Sequence, residues 1–151
     1  MKAVIQRVSK AAVTVEGKTV GKAGKGFLVL LGVDKDDTEQ EARLLAQKTA
    51  KLRVFCDEND KMNLSLTDVT GDALVISNFT LCADTHKGNR PSFIDAMQPD
   101  AANKLYMLFC SELEKCGVER VDRGIFGADM KVELLNDGPI TIILDTDLWR
   151  K

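Results

Sequence analysis

Residues 27–31 read Phe-Leu-Val-Leu-Leu, a continuous apolar run that decides how this chain folds. A run of this length without polar alternation is typical of a strand with both faces buried, so it predicts a strand at the centre of a sheet. The apolar stretch extends over seven residues, from Phe27 to Val33. That is far short of the roughly 18 residues that a membrane span needs. The segment therefore predicts the middle of a globular core, and no membrane association is expected.

Shorter strands are predicted on the N-terminal side of this run. Residues 3–8 and 12–16 alternate apolar and polar, which predicts two half-buried strands. A turn at 16–18 leads to a third short strand at 19–22. The same alternation leaves no continuous apolar stretch of the kind found in a signal peptide. We therefore expect a cytoplasmic protein.

Two helices are predicted on the C-terminal side. Thr38, with Glu41 three residues later, has the pattern of a capping box, and apolar residues then recur at helical spacing to give a helix over 38–51. Pro99 fits the first position of a second helix, whose apolar positions run from Ala102 to Cys116 before a glycine stop.

The remaining segments predict further strands and one long loop. Strands are expected at 52–55, 73–80, 130–135 and 140–144, and a loop at 84–98. The last two strands are joined by Asn136-Asp137-Gly138-Pro139, which has the composition of a hairpin turn. The fold class is therefore mixed α/β, a single domain with a curved, barrel-like, mostly antiparallel or mixed sheet covered by two main helices.

Composition excludes several kinds of protein. The chain has 151 residues, 44% of them hydrophobic and 29% charged, which fits one folded domain and argues against disorder. The formal net charge of -2 gives no overall basic field for holding nucleic acid. The four cysteines form no CxxC pair, so free thiols in a reducing compartment are expected. A single histidine excludes an HExxH zinc site.

One short segment has the residue types of a catalytic site. The apolar run Leu74-Val75-Ile76 ends in Ser77-Asn78-Phe79-Thr80, and a strand end is where a backbone N–H can be left free to meet a ligand. The alternative is a strand that leaves the core with its hydroxyls capping the last backbone groups. His86 lies in a polar loop and could serve as the base of a serine or threonine esterase, or could simply be solvated.

A local charge bias leaves a second function class open. Residues 1–25 contain six lysine and arginine residues against Glu16 alone, a local charge of 6 − 1 = +5. Such a stripe could hold a phosphate backbone, which would make the chain a non-catalytic RNA-binding module. Equally, lysines at strand edges prevent edge-to-edge pairing.

Taken together, the motifs resemble the D-aminoacyl-tRNA deacylase family of the bacterial and eukaryotic cytosolic type. The resemblance spans about residues 1–144 in register, and we assign residues 1–145 to the domain and 146–151 to a C-terminal tail. It rests on six stretches: IQRVSKAAVTVEG (5–17), GFLVLLGVDKDD (26–37), KMNLSL (61–66), LVISNFTLCAD (74–84), RPSF (90–93) and FGADMKVELLNDGPIT (126–141).

The resemblance implies an enzyme and a fold. The family hydrolyses the ester that joins a D-amino acid to the 3′-terminal adenosine of tRNA, and it also removes glycine mischarged on tRNA. This is a chiral proofreading step of translation quality control. The family acts as a homodimer with its active sites at the subunit interface, and it uses no metal and no cofactor. The tRNA and the second subunit are therefore the expected partners.

The site residues carried over by the resemblance fall into two groups. Ser77, Phe79 and Thr80 match the family's first signature as catalytic residues, while Asn78 replaces a glutamine. The second group serves substrate binding and chiral selection. It comprises Gly138 and Pro139, which the family holds as a cis pair inserted into the partner's site, together with Arg7, Asn78, Met130 and Phe126.

These residues suggest a mechanism without a protein base. The Phe79 N–H is the candidate donor to the oxyanion, and Ser77 and Thr80 position the substrate. The family uses the adenosine 2′-OH to orient or activate water. Thr80 as a covalent nucleophile is the alternative, although no base adjoins it. The Gly138-Pro139 carbonyls would exclude L-aminoacyl esters by a clash, so D side chains need no recognition of their own.

Overall fold

The computed structural model describes residues 1–150 and contains eight strands and two α-helices. In chain order these elements are β1 (Lys2–Val15), β2 (Lys18–Ala23), β3 (Gly26–Gly32), α1 (Glu39–Lys51), β4 (Phe55–Cys56), β5 (Met62–Leu64), β6 (Asp72–Ser77), α2 (Pro99–Lys115), β7 (Arg120–Arg123) and β8 (Lys131–Asp145). Two 3₁₀ helices, Phe79–Cys82 and Thr146–Trp149, follow β6 and β8. The mixed α/β class is confirmed.

The N-terminal segment forms one long strand, so the prediction of two strands at 3–8 and 12–16 is wrong. Strand β1 stays extended because it keeps a partner on each side along its length. Its first half pairs with β3 and its second half with β2, while β8 pairs with both halves. Alternation identifies extended backbone but does not show where the partner strand changes.

The main sheet is mixed and nearly closes on itself. Its order is β2-β1-β3-β6-β7, with β8 paired to β1; the β3–β6 and β6–β7 pairs are parallel and the others antiparallel. The two ends of this path meet where the backbone N–H of Lys22 donates to the Asp122 carboxylate at 2.9 Å. This contact between β2 and β7 gives the sheet its barrel-like shape.

Both faces of the central strand β3 are buried, as its apolar run predicts. Phe27, Val29 and Leu31 lie in the core beneath the two helices. Leu28 points to the other side, into a smaller core within the curved sheet that also holds Leu74. The helices therefore cover one face of the sheet, and the curvature encloses the other.

Both helices are confirmed and begin where their caps indicate. Thr38 is the N-cap of α1, and its hydroxyl and backbone N–H donate to the Glu41 carboxylate at 2.6 and 2.7 Å. Pro99 is the first residue of α2. Gly117, just beyond the end of that helix, has a φ of +101°, a left-handed conformation that favours glycine. Neither helix in residues 1–150 has the length and apolar character to cross a membrane.

Several strand boundaries differ from the prediction. The strand predicted at 52–55 is only the two-residue β4, and the one predicted at 73–80 ends at Ser77, where a 3₁₀ helix follows. Strands β5 and β7 were not predicted, because they are short and largely exposed and so lack an apolar pattern. The remaining predicted strand, β2, is confirmed.

The hairpin turn predicted at residues 136–139 is wrong. Residues 131–136 and 141–145 are the two halves of β8, and both pair antiparallel with β1. The chain keeps its direction, because each half takes β1 as its partner and not the other half. Residues 137–139 leave the strand and return to it, and we call them the excursion of β8.

The segment after β8 packs on the start of the chain. Thr146 is buried, and its hydroxyl oxygen accepts a hydrogen bond from the Met1 ammonium at 2.8 Å. The Arg150 guanidinium and the Met1 ammonium both contact the buried Asp37 carboxylate, at 3.1 and 2.6 Å. The division between a domain ending at residue 145 and a tail stays a prediction.

Candidate active site

The end of β6 is where the candidate site begins. The backbone N–H of Asn78 still donates to Leu31 O on β3 at 2.8 Å, and the chain then turns into the 3₁₀ helix. The first N–H groups of a helix have no partner within it. Accordingly, the N–H groups of Phe79 and Thr80 make no hydrogen bond to any group in residues 1–150.

An apolar cavity of about 640 Å³ opens beside this turn. It lies between the ends of β3 and β6, the first turn of α2 and the segment that leads into β8. Three of its polar lining residues are Ser77, Asn78 and Gln98, and most of the remaining wall is hydrophobic. Its apolar lining includes Leu31, Val33, Ile76, Phe93, Met97, Phe126, Met130 and Val132.

Few groups in the cavity are available for proton transfer. Tyr106 lines the wall, but its buried hydroxyl donates to Val75 O at 2.7 Å, and burial raises the pKa of this hydroxyl above the ordinary range. The Thr80 hydroxyl donates to the side-chain oxygen of Asn78. Thr80 thus has an amide as its partner and no base, which argues against activation as a nucleophile.

Two aromatic rings stand at the mouth of the cavity. Phe79 and Phe93 pack edge to face with their ring centroids 5.0 Å apart. Phe79 is 58% exposed even so, which is unusual for a large apolar side chain. Phe93 is held in place by its neighbours, since Ser92 and Asp84 exchange two backbone hydrogen bonds of 2.8 Å. The mouth therefore offers a small, rigid, apolar surface.

Arg7, Gly138 and Pro139 of the second predicted group lie together away from the cavity. The Arg7 Nε–H donates to Asp137 O at 2.9 Å, and an Nη1–H donates to Val54 O at 2.7 Å. The guanidinium thereby ties the excursion of β8 to the segment before β4. The Gly138–Pro139 peptide bond is cis, and Gly138 has a φ of +143°.

Within one chain the predicted site residues are only partly brought together. The cavity is lined by Ser77, Asn78, Phe79, Phe126 and Met130, whereas Thr80, Arg7, Gly138 and Pro139 do not line it. On β1, Arg7 pairs with Phe27, four residues before Leu31 at the cavity. That spacing corresponds to roughly 13 Å along the strand, at about 3.3 Å per residue.

The other sequence candidates do not reach the cavity. His86 is exposed and does not line it, and the His86 backbone N–H donates to the Asp84 carboxylate. The basic stripe is also broken up. Lys2 pairs with Asp34 at 2.8 Å and Arg7 is engaged as described, so only part of the stripe is free to meet an anion.

Sequence reasoning missed the residues that complete the walls. Tyr106, Met97 and Phe93 come from α2 and from the loop before it, and their apolar character resembled ordinary core packing. Asn136 was interpreted only as part of a turn, although an asparagine at a break in a strand often bonds nearby backbone.

The fold and the site together define a class of protein. It is a small barrel-like α/β protein whose apolar cavity is lined by a residue with an unpaired backbone N–H, Phe79, a donor of the kind that stabilises the oxyanion of an acyl-transfer reaction. A family model described as D-Tyr-tRNA(Tyr) deacylase matches residues 4–145. The chain therefore belongs to that family.

Individual relatives and structures agree with this assignment. The D-aminoacyl-tRNA deacylase of Fusobacterium nucleatum is 58% identical over 146 residues, covering 97% of this chain and 96% of that protein. The D-aminoacyl-tRNA deacylase of Roseiflexus castenholzii is 54% identical over 151 residues, covering 100% of this chain and 96% of that protein.

Two solved structures share the fold. A c-Myc DNA unwinding element binding protein is similar with a TM-score of 0.91 and 42% identity, covering 96% of this chain and 98% of that one. A probable eukaryotic D-amino acid tRNA deacylase is similar with a TM-score of 0.81 and 20% identity, covering 95% and 97% of the two chains. The second likeness concerns the fold alone.

Proposed function

We propose that this protein hydrolyses the ester bond of D-aminoacyl-tRNA, and of glycine mischarged on tRNA, as a chiral proofreading enzyme. Membership of the deacylase family supports the reaction class. The observation that carries the assignment of the site is the pair of free N–H groups at Phe79 and Thr80, of which Phe79 lines the apolar cavity.

The reaction needs little from the protein, because an aminoacyl ester is already activated. In this proposal, a water oxygen attacks the carbonyl carbon, and the Phe79 N–H donates to the oxyanion that forms. The bond from that carbon to the adenosine 3′ oxygen then breaks. The water's protons end on the two products, the free amino acid and the tRNA 3′-hydroxyl. The adjacent 2′-OH orients the water, while Ser77 and Thr80 position the ester.

Asn78 fits a positioning role in this site. Its side-chain oxygen accepts the hydrogen bond of the Thr80 hydroxyl, and its backbone N–H holds the turn against β3. Both contacts involve atoms close to its backbone, so a shorter amide than the family's glutamine can make them. Phe126 and Met130 are proposed to form the apolar wall that meets the amino-acid side chain.

The proposal places the Gly138-Pro139 carbonyls in the active site of a second copy of this chain. Its support is geometric, since the excursion that carries them lies away from the cavity of its own chain. A substrate in the cavity could meet these carbonyls only if another subunit supplied them. In that position the carbonyls would clash with the side chain of an L-aminoacyl ester. They would leave room for the α-hydrogen that glycine and D-amino acids have at the same place.

The surface of β8 supports a homodimer. This strand pairs only with β1, so its other edge has no partner strand in residues 1–150. Ile143 is 71% exposed and Leu135 is 53% exposed on it. A long apolar edge strand is prone to pairing with another chain, and the second copy is its proposed occupant. We also propose a cytoplasmic location, where aminoacyl-tRNA is made and used.

Two other functions predict different results. A general serine or threonine esterase would need His86, which stands in an exposed loop outside the cavity. An RNA-binding module would bind tRNA whatever amino acid it carries, with an affinity that falls as salt rises.

The deciding experiment compares hydrolysis of D-tyrosyl-tRNA and L-tyrosyl-tRNA by protein that has been treated with a chelator. We expect rapid release of D-tyrosine and an intact L-ester. Equal cleavage of both esters would contradict the chiral filter and favour a general esterase, which His86→Ala should then abolish. Cleavage of neither would contradict the enzyme assignment, unless Asn78→Gln restored it.

A further inference from the structure

The Asn136 carboxamide replaces a missing strand partner at the base of the excursion of β8. Its Oδ1 accepts a hydrogen bond from the Ile140 N–H at 2.7 Å, and its Nδ2–H donates to Ile140 O at 3.0 Å. One side chain therefore satisfies both backbone groups of the residue at which the excursion ends. A neighbouring strand would normally provide this pair of bonds.

The same amide also joins the excursion to β1. Nδ2 lies 3.2 Å from Thr141 Oγ1 and 3.3 Å from Gln6 Oε1, so its protons are shared among three acceptors. The pairing of β8 with β1 changes register here, between Gln6 and Val8. Asn136 thus fills the break in the ladder from which residues 137–139 project.

The excursion is consequently held from two sides. On one side, Arg7 of β1 donates to Asp137 O. On the other side, the Asn136 side chain binds both backbone groups of Ile140 and so links the two ends of the excursion. Gly138 and Pro139 lie between these two anchors, and neither has a polar side chain that could hold it in place. Their orientation therefore depends on the anchors.

We propose that Asn136 is a positioning residue for chiral selection, which fixes the direction of the Gly138-Pro139 carbonyls by closing the excursion. This inference rests on the proposed function, since it assigns a support to the filter that excludes L-aminoacyl esters. Asn136 touches no substrate. It acts through the excursion, and loosening the excursion relaxes the clash with an L side chain.

The test is the ratio of kcat/KM for D-tyrosyl-tRNA to that for L-tyrosyl-tRNA. We expect Asn136→Ala to lower the ratio about tenfold, the factor that corresponds to losing roughly one net hydrogen bond of positioning. Asn136→Asp keeps the acceptor for the Ile140 N–H but loses the donor, so its ratio should fall between those of wild type and Asn136→Ala.

Two controls separate positioning from stability and from the proposed function. A merely structural role would lower the amount of folded enzyme and reduce both rates equally, leaving the ratio unchanged. Asn63→Ala, which removes an exposed asparagine bond to Asp57, should leave the ratio at the wild-type value. Gly138→Ala alters the filter directly, because a Cβ there would lie 2.7 Å from Ile140 Cγ1.

An unchanged ratio in Asn136→Ala, with a changed ratio in Gly138→Ala, overturns the role of Asn136 and leaves the filter standing. An unchanged ratio in both variants overturns the filter, and the role of Asn136 with it.

Discussion

At the scale of the residue, the chemistry proposed for this site depends on a backbone group. The Phe79 N–H is unpaired because residue 79 is the first of a 3₁₀ helix, where helical bonding provides no acceptor. Proline is well tolerated at such a first position and has no N–H. Phe79→Pro therefore removes the donor, and with it the ring that packs against Phe93.

We expect Phe79→Pro to lower kcat for D-tyrosyl-tRNA by about 10²–10³, the usual cost of losing one oxyanion donor. Phe79→Leu is the matched control, since it loses the ring but keeps the N–H, and it should retain most of kcat. Single-turnover hydrolysis measures both variants. If the two variants lose activity equally, the aromatic ring matters and the N–H does not.

The hydroxyl of Thr80 provides a second test at this scale. Because its partner is the Asn78 amide and not a base, we expect it to position the ester. Thr80→Val should then retain measurable turnover, reduced about tenfold by loss of one hydrogen bond. A covalent nucleophile would give a different result, namely no turnover in Thr80→Val and an acyl-enzyme in the wild type detectable by mass spectrometry after acid quenching.

At the scale of the element, α1 shows how a local sequence signal determines structure. The Glu41 carboxylate accepts the Thr38 hydroxyl and backbone N–H, and these bonds, led by the hydroxyl, hold the pKa of Glu41 below its ordinary value of 4.5. The folded state therefore binds this proton less readily than the unfolded state. Its contribution to stability is present above pH 4.5 and is lost as the pH falls through the lowered pKa.

Thr38→Ala should accordingly reduce the free energy of unfolding by about 1 kcal/mol at neutral pH, the usual cost of an N-cap. The difference from wild type should shrink below the ordinary pKa of Glu41. Urea titrations at several pH values measure this, with Thr38→Ser as the control that keeps the hydroxyl. If the difference in the free energy of unfolding between wild type and Thr38→Ala stays constant at the lowest pH tested, the cap and the ionisation of Glu41 are not coupled.

The elements also show what a sequence can predict. The apolar run at Phe27, the capping box at Thr38 and the proline at residue 99 each act within a few residues, so they predicted β3, α1 and α2. Pairing partners are set by contacts distant in sequence. For this reason the local pattern could not show that β1 and β8 are each one strand, and the composition of Asn136-Asp137-Gly138-Pro139 wrongly predicts a hairpin turn.

The candidate site follows the same rule. The strand end at Ser77 could be predicted because an apolar run stops there. The contribution of α2 to the cavity wall could not be predicted, since Tyr106 and its neighbours have the spacing of any buried helix face. Family resemblance provided Gly138, Pro139 and Arg7, which no local pattern separated from turn and edge residues.

At the scale of the whole molecule, the proposed active site belongs to two chains. In a dimer that combines one Phe79→Pro subunit with one Gly138→Ala subunit, one site carries both defects and the other carries neither. As homodimers, Phe79→Pro should hydrolyse D-tyrosyl-tRNA about 10²–10³ times more slowly than wild type, and Gly138→Ala should also cleave L-tyrosyl-tRNA because its filter is altered. The mixed dimer should cleave D-tyrosyl-tRNA at about half the wild-type rate and leave L-tyrosyl-tRNA intact, because its only active site has both an unchanged donor and an unchanged filter.

The mixed dimer is obtained by co-expressing the two chains with different C-terminal tags and purifying on each tag in turn. Its hydrolysis of D-tyrosyl-tRNA and L-tyrosyl-tRNA is then compared with that of a wild-type dimer carrying the same tags. Cleavage of L-tyrosyl-tRNA by the mixed dimer would mean that each cavity uses the Gly138 of its own chain. A wild-type protein that runs as a monomer in light scattering would contradict the dimer directly.

The pairing of β1 with β8 has a consequence for how this chain is made. Lys2 pairs with Asp145, so β1 leaves the ribosome well before the strand that pairs with its outer edge. Contacts so far apart in sequence slow folding. During synthesis, β1 can pair early with β2 and β3, but its other edge stays open until β8 has emerged. Until then, the edge of β1 that pairs with β8 is exposed to chaperones and to neighbouring chains.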